Sequence, residues 1–120
     1  TGQPPFAALN LHWTVHSDEI EARIKERREE LGPRGELARI SKVAAGLCKQ
    51  ALKLSEEAFR ELNDPQKRGP ARRRAASEAE RITARGLLTR QAELARLRGR
   101  QDELRRLMEV LAELGRDKLK

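Results

Sequence analysis

Residues 9–15 alternate strictly between apolar and polar side chains, a pattern that predicts a β-strand. The alternation gives the strand an apolar face and a polar face, formed by Leu9, Leu11, Trp13 and Val15 and by Asn10, His12 and Thr14. No second run of this kind occurs in the chain, so the backbone of the strand needs hydrogen-bond partners outside it. The pattern therefore predicts pairing with the same strand of a second copy.

Helical periodicity dominates the sequence after this run. Ser17 is a good N-cap for a helix that continues to about Leu31, and the Gly-Pro-Arg-Gly segment at 32–35 then turns the chain. A second helix follows, with apolar residues along one side, and continues to Leu62. The Asn-Asp-Pro segment at 63–65 ends it, because the residue before a proline leaves the helical region.

The second half of the chain consists almost wholly of strong helix formers from residue 71 onward, with Gly86 as a point of bending or division. Six residues fit the apolar positions of a heptad repeat: Leu87, Leu94, Leu97, Leu104, Met108 and Leu111. Arg90 interrupts the repeat where an apolar residue is expected. The pattern predicts a helical coiled-coil or bundle region that joins subunits.

Composition favours burial shared between chains. Only 38% of the 120 residues are hydrophobic, 38% are charged, and Phe6, Trp13 and Phe59 are the only aromatic residues. That is little apolar material for the core of a monomer. Cys48 has no second cysteine to pair with, which favours a reducing cytoplasm, and no apolar run reaches the ~20 residues of a membrane span.

The net charge of +7 comes entirely from the second half of the chain, since residues 1–63 contain ten basic and ten acidic side chains. A concentrated positive field suits a polyanion, most often nucleic acid. The strongest cluster lies around the predicted linker and consists of Lys67, Arg68, Arg72, Arg73 and Arg74. Two interpretations remain open for it, a set of DNA phosphate contacts and a solvated linker that leads into a helix.

Strand, helix, glycine turn and helix follow one another as in a ribbon–helix–helix protomer, and Leu-Asn-Leu-His-Trp at residues 9–13 resembles the strand of that Arc/MetJ-like DNA-binding family. The resemblance covers about residues 8–54. It implies an intertwined dimer whose paired strands lie in the DNA major groove. The expected organisation is mainly α-helical, with a mobile arm at 1–8, the ribbon–helix–helix domain at 9–63, a basic linker at 64–70 and a helical oligomerisation region at 71–120.

The resemblance also implies a role for individual residues. Base contacts are expected from the polar face of the strand, at Asn10, His12 and Thr14. Phosphate contacts are expected around the start of the second helix, at Arg34, Gly35, Arg39, Ser41 and Lys42. The dimer core is expected to contain Leu9, Leu11, Trp13, Ile40 and Leu47. The strand itself carries no charge, which departs from the family, where arginine or lysine usually stands among the base-reading positions.

The hypothesis that follows is a sequence-specific double-stranded DNA-binding protein, a homodimer or homotetramer. The long helical tail is similar to that of plasmid relaxosome accessory proteins, which bind the transfer origin and assist a relaxase, and the fold is also typical of autorepressors. The alternative is an all-helical coiled-coil adaptor or subunit without specific DNA binding. A third option is nonspecific nucleic-acid binding by the basic helix alone.

Catalysis, metal binding and a cofactor are not expected. His12 and His16 lie at a strand-to-helix junction with no third ligand nearby, and Cys48 has no recognisable base partner. No phosphate-binding glycine loop, nucleophile elbow or catalytic-triad motif is present. Acidic pairs such as Glu29–Glu30 are adjacent in sequence, so they diverge on a helix instead of forming an acid–base dyad.

Overall fold

A computed structural model describes residues 4–115 of the chain, and every regular element in that range is helical. A short 3-10 turn at Leu37–Arg39 precedes the longest helix. The α-helices are α1 (Pro5–Ala8), α2 (Ser17–Leu31), α3 (Lys42–Leu62), α4 (Pro65–Arg74), α5 (Glu78–Leu97) and α6 (Gln101–Leu114). The mainly α-helical class is confirmed.

The predicted β-strand at residues 9–15 is wrong, and with it the ribbon–helix–helix fold. Pro5 begins α1, as proline commonly does at the first position of a helix, and Asn10 then reverses the chain with a left-handed φ of 55°. Local turns use the next N–H groups, since Leu11 N donates to Phe6 O and Val15 N donates to His12 O. Residues 9–16 are therefore a loop without any strand.

Arginine side chains take the place of the missing strand partner. Arg23 Nη1 donates to the carbonyls of Leu9 and Asn10, and Arg72 Nη1 donates to those of Trp13 and Val15. Four backbone acceptors of this segment are thus satisfied within the chain. The period-two alternation has a different origin: Leu9 and Trp13 turn inward to the core, and Asn10 and His12 stay exposed.

One core extends from α1 to α6, so the described residues do not divide into an N-terminal domain and a separate tail. Its buried members are Phe6, Leu9, Trp13, Ile20, Ile24, Ala58, Leu62, Ala71, Val110 and Leu114. The segment predicted as a linker, 64–70, forms the cap and most of α4. Residues 4–8 of the predicted arm include α1, and residues 1–3 and 116–120 lie outside the described range.

Side-chain caps set most of the helix starts. The Ser41 hydroxyl accepts a hydrogen bond from Ala44 N at the start of α3, and the Asp64 carboxylate caps α4. Ser77 and Glu80 form a capping box for α5. The start of α2 is capped from a distance, because Ser17 N and Ser17 Oγ both donate to the Glu109 carboxylate of α6 at 2.9 Å. The last helix thus holds the first long one in place.

The Leu9 side chain provides a test of this intrachain core. Leu9 is fully buried within one chain, so Leu9→Ala removes core contacts and is expected to lower the free energy of unfolding by ~2–5 kcal/mol. Chemical denaturation followed by circular dichroism measures the loss. The loss should be independent of protein concentration, and Leu97→Ala, at an exposed position, should change stability by no more than ~0.5 kcal/mol. A loss that shrinks as protein concentration rises would instead place Leu9 in a dimer interface.

Candidate protein-interaction surface

Four large apolar side chains on one side of α3 and its preceding turn are exposed to solvent. We call them the α3 row: Ile40 (72% exposed), Val43 (74%), Leu47 (62%) and Leu54 (49%). The spacing of Val43, Leu47 and Leu54 places them on a common face of α3, and Ile40 lies in the turn just before the helix. Isolated exposed leucines are ordinary on protein surfaces, but a contiguous row of apolar residues marks an interaction site.

A neighbouring side of α3, roughly a quarter-turn around the helix from the row, already forms part of the core. Cys48, Ser55, Ala58 and Leu62 are buried there. The sequence predicts one apolar stripe on this helix, whereas the structure divides it between a face that the chain covers and a face that it leaves open. Helix α3 therefore carries more apolar surface than its own fold buries.

Basic side chains border the α3 row along one edge. Arg39, Lys42 and Lys53 each immediately precede a row residue, and consecutive residues of a helix project ~100° apart. All three are exposed and make no ion pair among residues 4–115. Residues 37–55 contain no acidic side chain at all. The edge therefore presents an uncompensated positive potential beside an apolar face.

Gly46 occupies the remaining position of this edge, directly before Leu47. A Cβ atom added at Gly46 would meet nothing within 4 Å, and the residue is exposed. Glycine inside a helix costs roughly 0.5–1 kcal/mol relative to alanine. No contact within the described chain requires a glycine at this point.

A groove of about 720 Å³ opens where the α3 row ends, between α3, α4 and the N-terminal segment. Leu54 belongs to both the row and the groove. Its walls are mainly apolar and include Phe6, Leu11, Trp13, Ala58, Ala71 and Ala75. Two acidic residues of α3, Glu57 and Glu61, also line it.

Only one of these two carboxylates is neutralised within residues 4–115. Glu61 forms a 2.9 Å ion pair with Arg74, whereas Glu57 is exposed and has no cationic partner there. The groove end of the surface is thus acidic, in contrast to the basic edge of the α3 row.

A buried ion cluster accounts for most of the basic segment 67–74. Arg72 is fully buried, its Nε donates to Glu113 Oε1 at 2.7 Å, and its guanidinium carbon lies 5.4 Å from the centre of the Phe6 ring. Arg68 donates to both oxygens of Glu113 and, through Nη1, to Leu62 O. These groups lock α4 against α6.

The predicted phosphate contacts in this segment are therefore mostly engaged inside the molecule. Arg68 and Arg72 are buried, Arg73 Nη1 donates to Glu113 O at 2.6 Å, and Arg74 pairs with Glu61. Lys67 is exposed and makes no ion pair within the described range. The structure favours the structural interpretation of this cluster over its use on DNA.

Burial and ion pairing have opposite effects on the pKa values of the charged groups in this cluster. Burial opposes ionisation of Glu113, but hydrogen bonds from Arg68 and Arg72 outweigh it and hold the pKa of the Glu113 carboxyl below its usual value. Burial lowers the pKa of the Arg72 guanidinium, against the opposing effect of the Glu113 hydrogen bond. Arginine still keeps its charge at neutral pH. The cluster is therefore ionised, and Glu113 is the group on which two cations depend.

The residues predicted to contact DNA lie apart from any ribbon. His12 Nδ1 lies 2.7 Å from Thr14 Oγ1, and the His12 ring stacks on Trp13 with 4.9 Å between centroids. Asn10 stands at the left-handed turn of the loop. Since the strand is absent, no paired surface brings Asn10, His12 and Thr14 to base edges.

The predicted phosphate contacts near the second helix surround the 3-10 turn. Arg34, Arg39 and Lys42 are exposed there, whereas Ser41 is the cap of α3. Gly35 is packed so closely that a Cβ would stand 2.6 Å from Glu30 O. Backbone crowding explains why glycine is needed at this position.

The residues predicted for the dimer core and for the heptad repeat are also divided between buried and exposed positions. Leu9 and Trp13 are buried within one chain, Leu11 is half-buried, and Ile40 and Leu47 belong to the exposed α3 row. Among the heptad residues, the exposed ones are Leu87, Leu94, Leu97 and Met108, and the half-buried ones are Leu104 and Leu111. Oligomerisation through α5 and α6 stays a prediction.

Sequence reasoning missed the two carboxylates that organise the centre, Glu109 and Glu113. A signal was present, because both lie one residue before buried apolar positions of α6, Val110 and Leu114. Acidic side chains next to buried positions on an amphipathic helix can reach buried cations. Their partners are 41 to 92 residues away in sequence, however, and spacing along the chain gives no way to find them.

No cluster of three or more His, Cys, Asp or Glu side chains suited to a metal ion occurs within residues 4–115. None of the helices described is long and apolar enough to cross a membrane. Comparisons of the chain with protein-family models, with curated proteins and with solved structures find no match.

The buried cluster gives a direct stability test. Glu113→Gln removes the charge that compensates Arg68 and Arg72, and it is expected to lower the free energy of unfolding by ~3–5 kcal/mol. Urea denaturation at neutral pH measures the effect. Glu93→Gln makes the same chemical change at an exposed position of α5 and should have little effect.

The same pair of proteins tests the pKa of Glu113. Because the folded-state pKa is lowered, this group stabilises the fold above the unfolded-state value near 4.5, and the stabilisation is lost as the pH falls through the folded-state pKa. Unfolding free energies measured downward from that value should fall more steeply for the unmodified protein than for Glu113→Gln. Equal slopes would show that the Glu113 carboxylate does not depend on its arginine partners.

Proposed function

We propose that this protein is a helical interaction module that binds an amphipathic helix of another protein along the α3 row. The observation that carries the proposal is the row itself: Val43, Leu47 and Leu54 are exposed on one face of α3, Ile40 is exposed in the turn before it, and the neighbouring face is already buried. A helix laid on such a face covers anchors at i, i+3, i+4 and i+7 spacing, a common mode of peptide recognition.

Charge favours a different protein over a second copy of this chain. In an antiparallel pair of α3 helices, the basic edge of one copy would face the basic edge of the other, and like charges repel. A partner with acidic residues beside its apolar stripe turns the same edge into an attraction. The expected partner is therefore an acidic amphipathic helix.

The exposed area indicates a transient complex. Full burial of an aliphatic side chain is worth ~1.5–3 kcal/mol, and the row residues are roughly half to three-quarters exposed at the start. Association also costs several kcal/mol in lost translational and rotational freedom. The α3 row alone thus supports weak binding, and a tighter complex needs a further anchor.

The row is tested by selecting helical peptides from a display library on the whole protein, with Leu47→Asp and Leu87→Asp as matched variants. Both leucines are exposed, so neither change disturbs the core, and circular dichroism confirms this. Leu47→Asp places a charge in the centre of the row and should weaken the binding of the recovered peptides by ~10-fold or more. Leu87→Asp, on α5, should leave their affinity unchanged.

Three outcomes would contradict the proposal. One is a recovered peptide set insensitive to Leu47→Asp, and another is a dimer by sedimentation that Leu47→Asp dissociates, which would make the row a self-interface. The third is binding to vesicles of phosphatidylcholine and phosphatidylserine that the same variant abolishes, since apolar rows with a basic border also suit anionic membranes.

A second candidate, nonspecific binding of nucleic acid, is favoured by a separate observation at the α5–α6 turn. Arg96, Arg98 and Arg100 lie within five residues of one another around Gly99, and all three are exposed. Arg96 and Arg98 have no carboxylate partner within residues 4–115. Such a cluster can neutralise phosphates without reading sequence.

A short fluorescent DNA duplex tests this second candidate. The double variant Arg96→Ser with Arg98→Ser should weaken binding and reduce the slope of log affinity against log salt by ~2, because two phosphate contacts are lost. Lys25→Ser with Lys49→Ser is the control with the same change in net charge. An equal loss in both double variants would show that only overall charge matters, and absence of binding at about 50 mM salt would reject the candidate.

A further inference from the structure

The groove continues the α3 row along the same face of the helix. Ala58 and Glu61 follow Leu47 and Leu54 at helical spacing, and both line the groove. From Val43 to Leu54 the helix advances ~16 Å, about three turns. A partner helix that lies on the row therefore reaches the groove after three to four turns of its own.

The size and lining of the groove suit an apolar anchor. Its volume of about 720 Å³ falls within the range of pockets that hold small ligands, ~300–1,000 Å³, and its walls are mainly aromatic and aliphatic. Binding energy at protein interfaces concentrates on a few large side chains that fill such pockets. An anchor in the groove provides the tighter contact that the row alone lacks.

Charge changes sign between the two ends of this surface. Arg39 and Lys42 border the end of the row that lies away from the groove, whereas Glu57 stands at the groove without a cationic partner within the described residues. A helix that satisfies both ends must carry its carboxylates away from its anchor and a basic group beside it. Reversing that order would bring carboxylates to Glu57 and a cation to Lys42, which is unfavourable at both ends.

A second copy of this chain does not offer such a helix. Three of its exposed apolar residues on α5, Leu87, Leu94 and Leu97, stand among arginines such as Arg90 and Arg96. The remaining exposed large apolar side chains of α5 and α6, Ile82 and Met108, are single residues that form no row. If α5 of a second copy docked on the α3 row, its arginines would lie against the basic edge of the row, and like charges repel. The acidic flank has to come from another protein.

Resting on the proposed function, we infer that the occupant is a polarised amphipathic helix. Carboxylates flank its apolar stripe over Arg39 and Lys42, and a large apolar side chain beside a basic residue fills the groove. Gly46 lets the backbone of this helix approach α3 closely at mid-length. The surface thus selects its partner by the order of charges as well as by apolar spacing.

Two synthetic helical peptides of about five turns and identical composition test the inference. Both have the apolar spacing and a terminal tryptophan. The first places its glutamates far from the tryptophan and its lysines beside it, and the second exchanges these positions. The first should bind the whole protein ~10-fold more tightly than the second at low salt, measured by fluorescence anisotropy, and the difference should shrink as salt rises.

Variants of the protein test separately the two parts of the recognition, the order of charges and the anchor in the groove. Lys42→Glu should weaken binding of the first peptide and strengthen binding of the second, whereas Lys67→Glu, at an exposed lysine away from the row, should change both affinities equally and little. Ala75 is exposed and lines the groove, so Ala75→Trp narrows the groove without disturbing the core. This change should weaken binding of the first peptide ~10-fold. Ala79→Trp, exposed but outside the groove, is its control.

The two proposals fail in different ways. If both peptides bind equally and Leu47→Asp weakens both, the α3 row is a docking site but the charge order is wrong. If Ala75→Trp and Ala79→Trp act alike, the groove holds no anchor. If neither peptide binds and library selection yields no ligand sensitive to Leu47→Asp, the proposed function itself is rejected.

Discussion

The burial of Arg72 is the constraint on which the other contacts depend. Its guanidinium has no access to solvent, and it joins three separate parts of the chain: the loop carbonyls of Trp13 and Val15, its own helix α4, and Glu113 of α6. An isolated charge in such a position would cost far more than the fold can supply. Glu113 makes the position tolerable and fixes the place where α6 must dock. Once α6 is docked, Glu109 caps α2, and Val110 and Leu114 close the core.

This central cluster also explains why so much apolar surface stays outside. A chain in which 38% of residues are charged fills part of its interior with ion pairs and hydrogen-bonded arginines, and its aliphatic core is correspondingly small. Helix α3 then presents two apolar sides, of which the fold covers one. The uncovered side is paired with a basic edge and a glycine that no internal contact requires, and these features together make it a surface suited to another helix.

Sequence patterns located most of the helices, because periodicity and caps act over a few residues. Ser17 and Pro65 mark boundaries that the structure reproduces to within about two residues. The strand was wrong because seven alternating residues do not distinguish a strand from a loop in which Leu9 and Trp13 turn inward. Pro5, taken as part of an extended arm, in fact begins a helix. Arg72 and Glu113 are 41 residues apart, so the local pattern around Glu113 does not show which cation it pairs with. Which side of α3 stays open depends on where α1 and α2 pack, and that is decided by the whole fold.

The position of Glu113 has a consequence for the order in which the molecule is completed. Trp13 and its loop are synthesised early, yet they are held by Arg72, and Arg72 is neutralised only when α6 has emerged from the ribosome. Long-range contacts of this kind close slowly, since a long intervening loop must be ordered first. Until then the nascent chain exposes the groove walls, with Trp13 and Phe6 among them, beside an uncompensated cation. Removal of the last turn of α6 would therefore leave Arg72 buried without its carboxylate and would weaken the contacts of the Trp13 loop at the far end of the sequence.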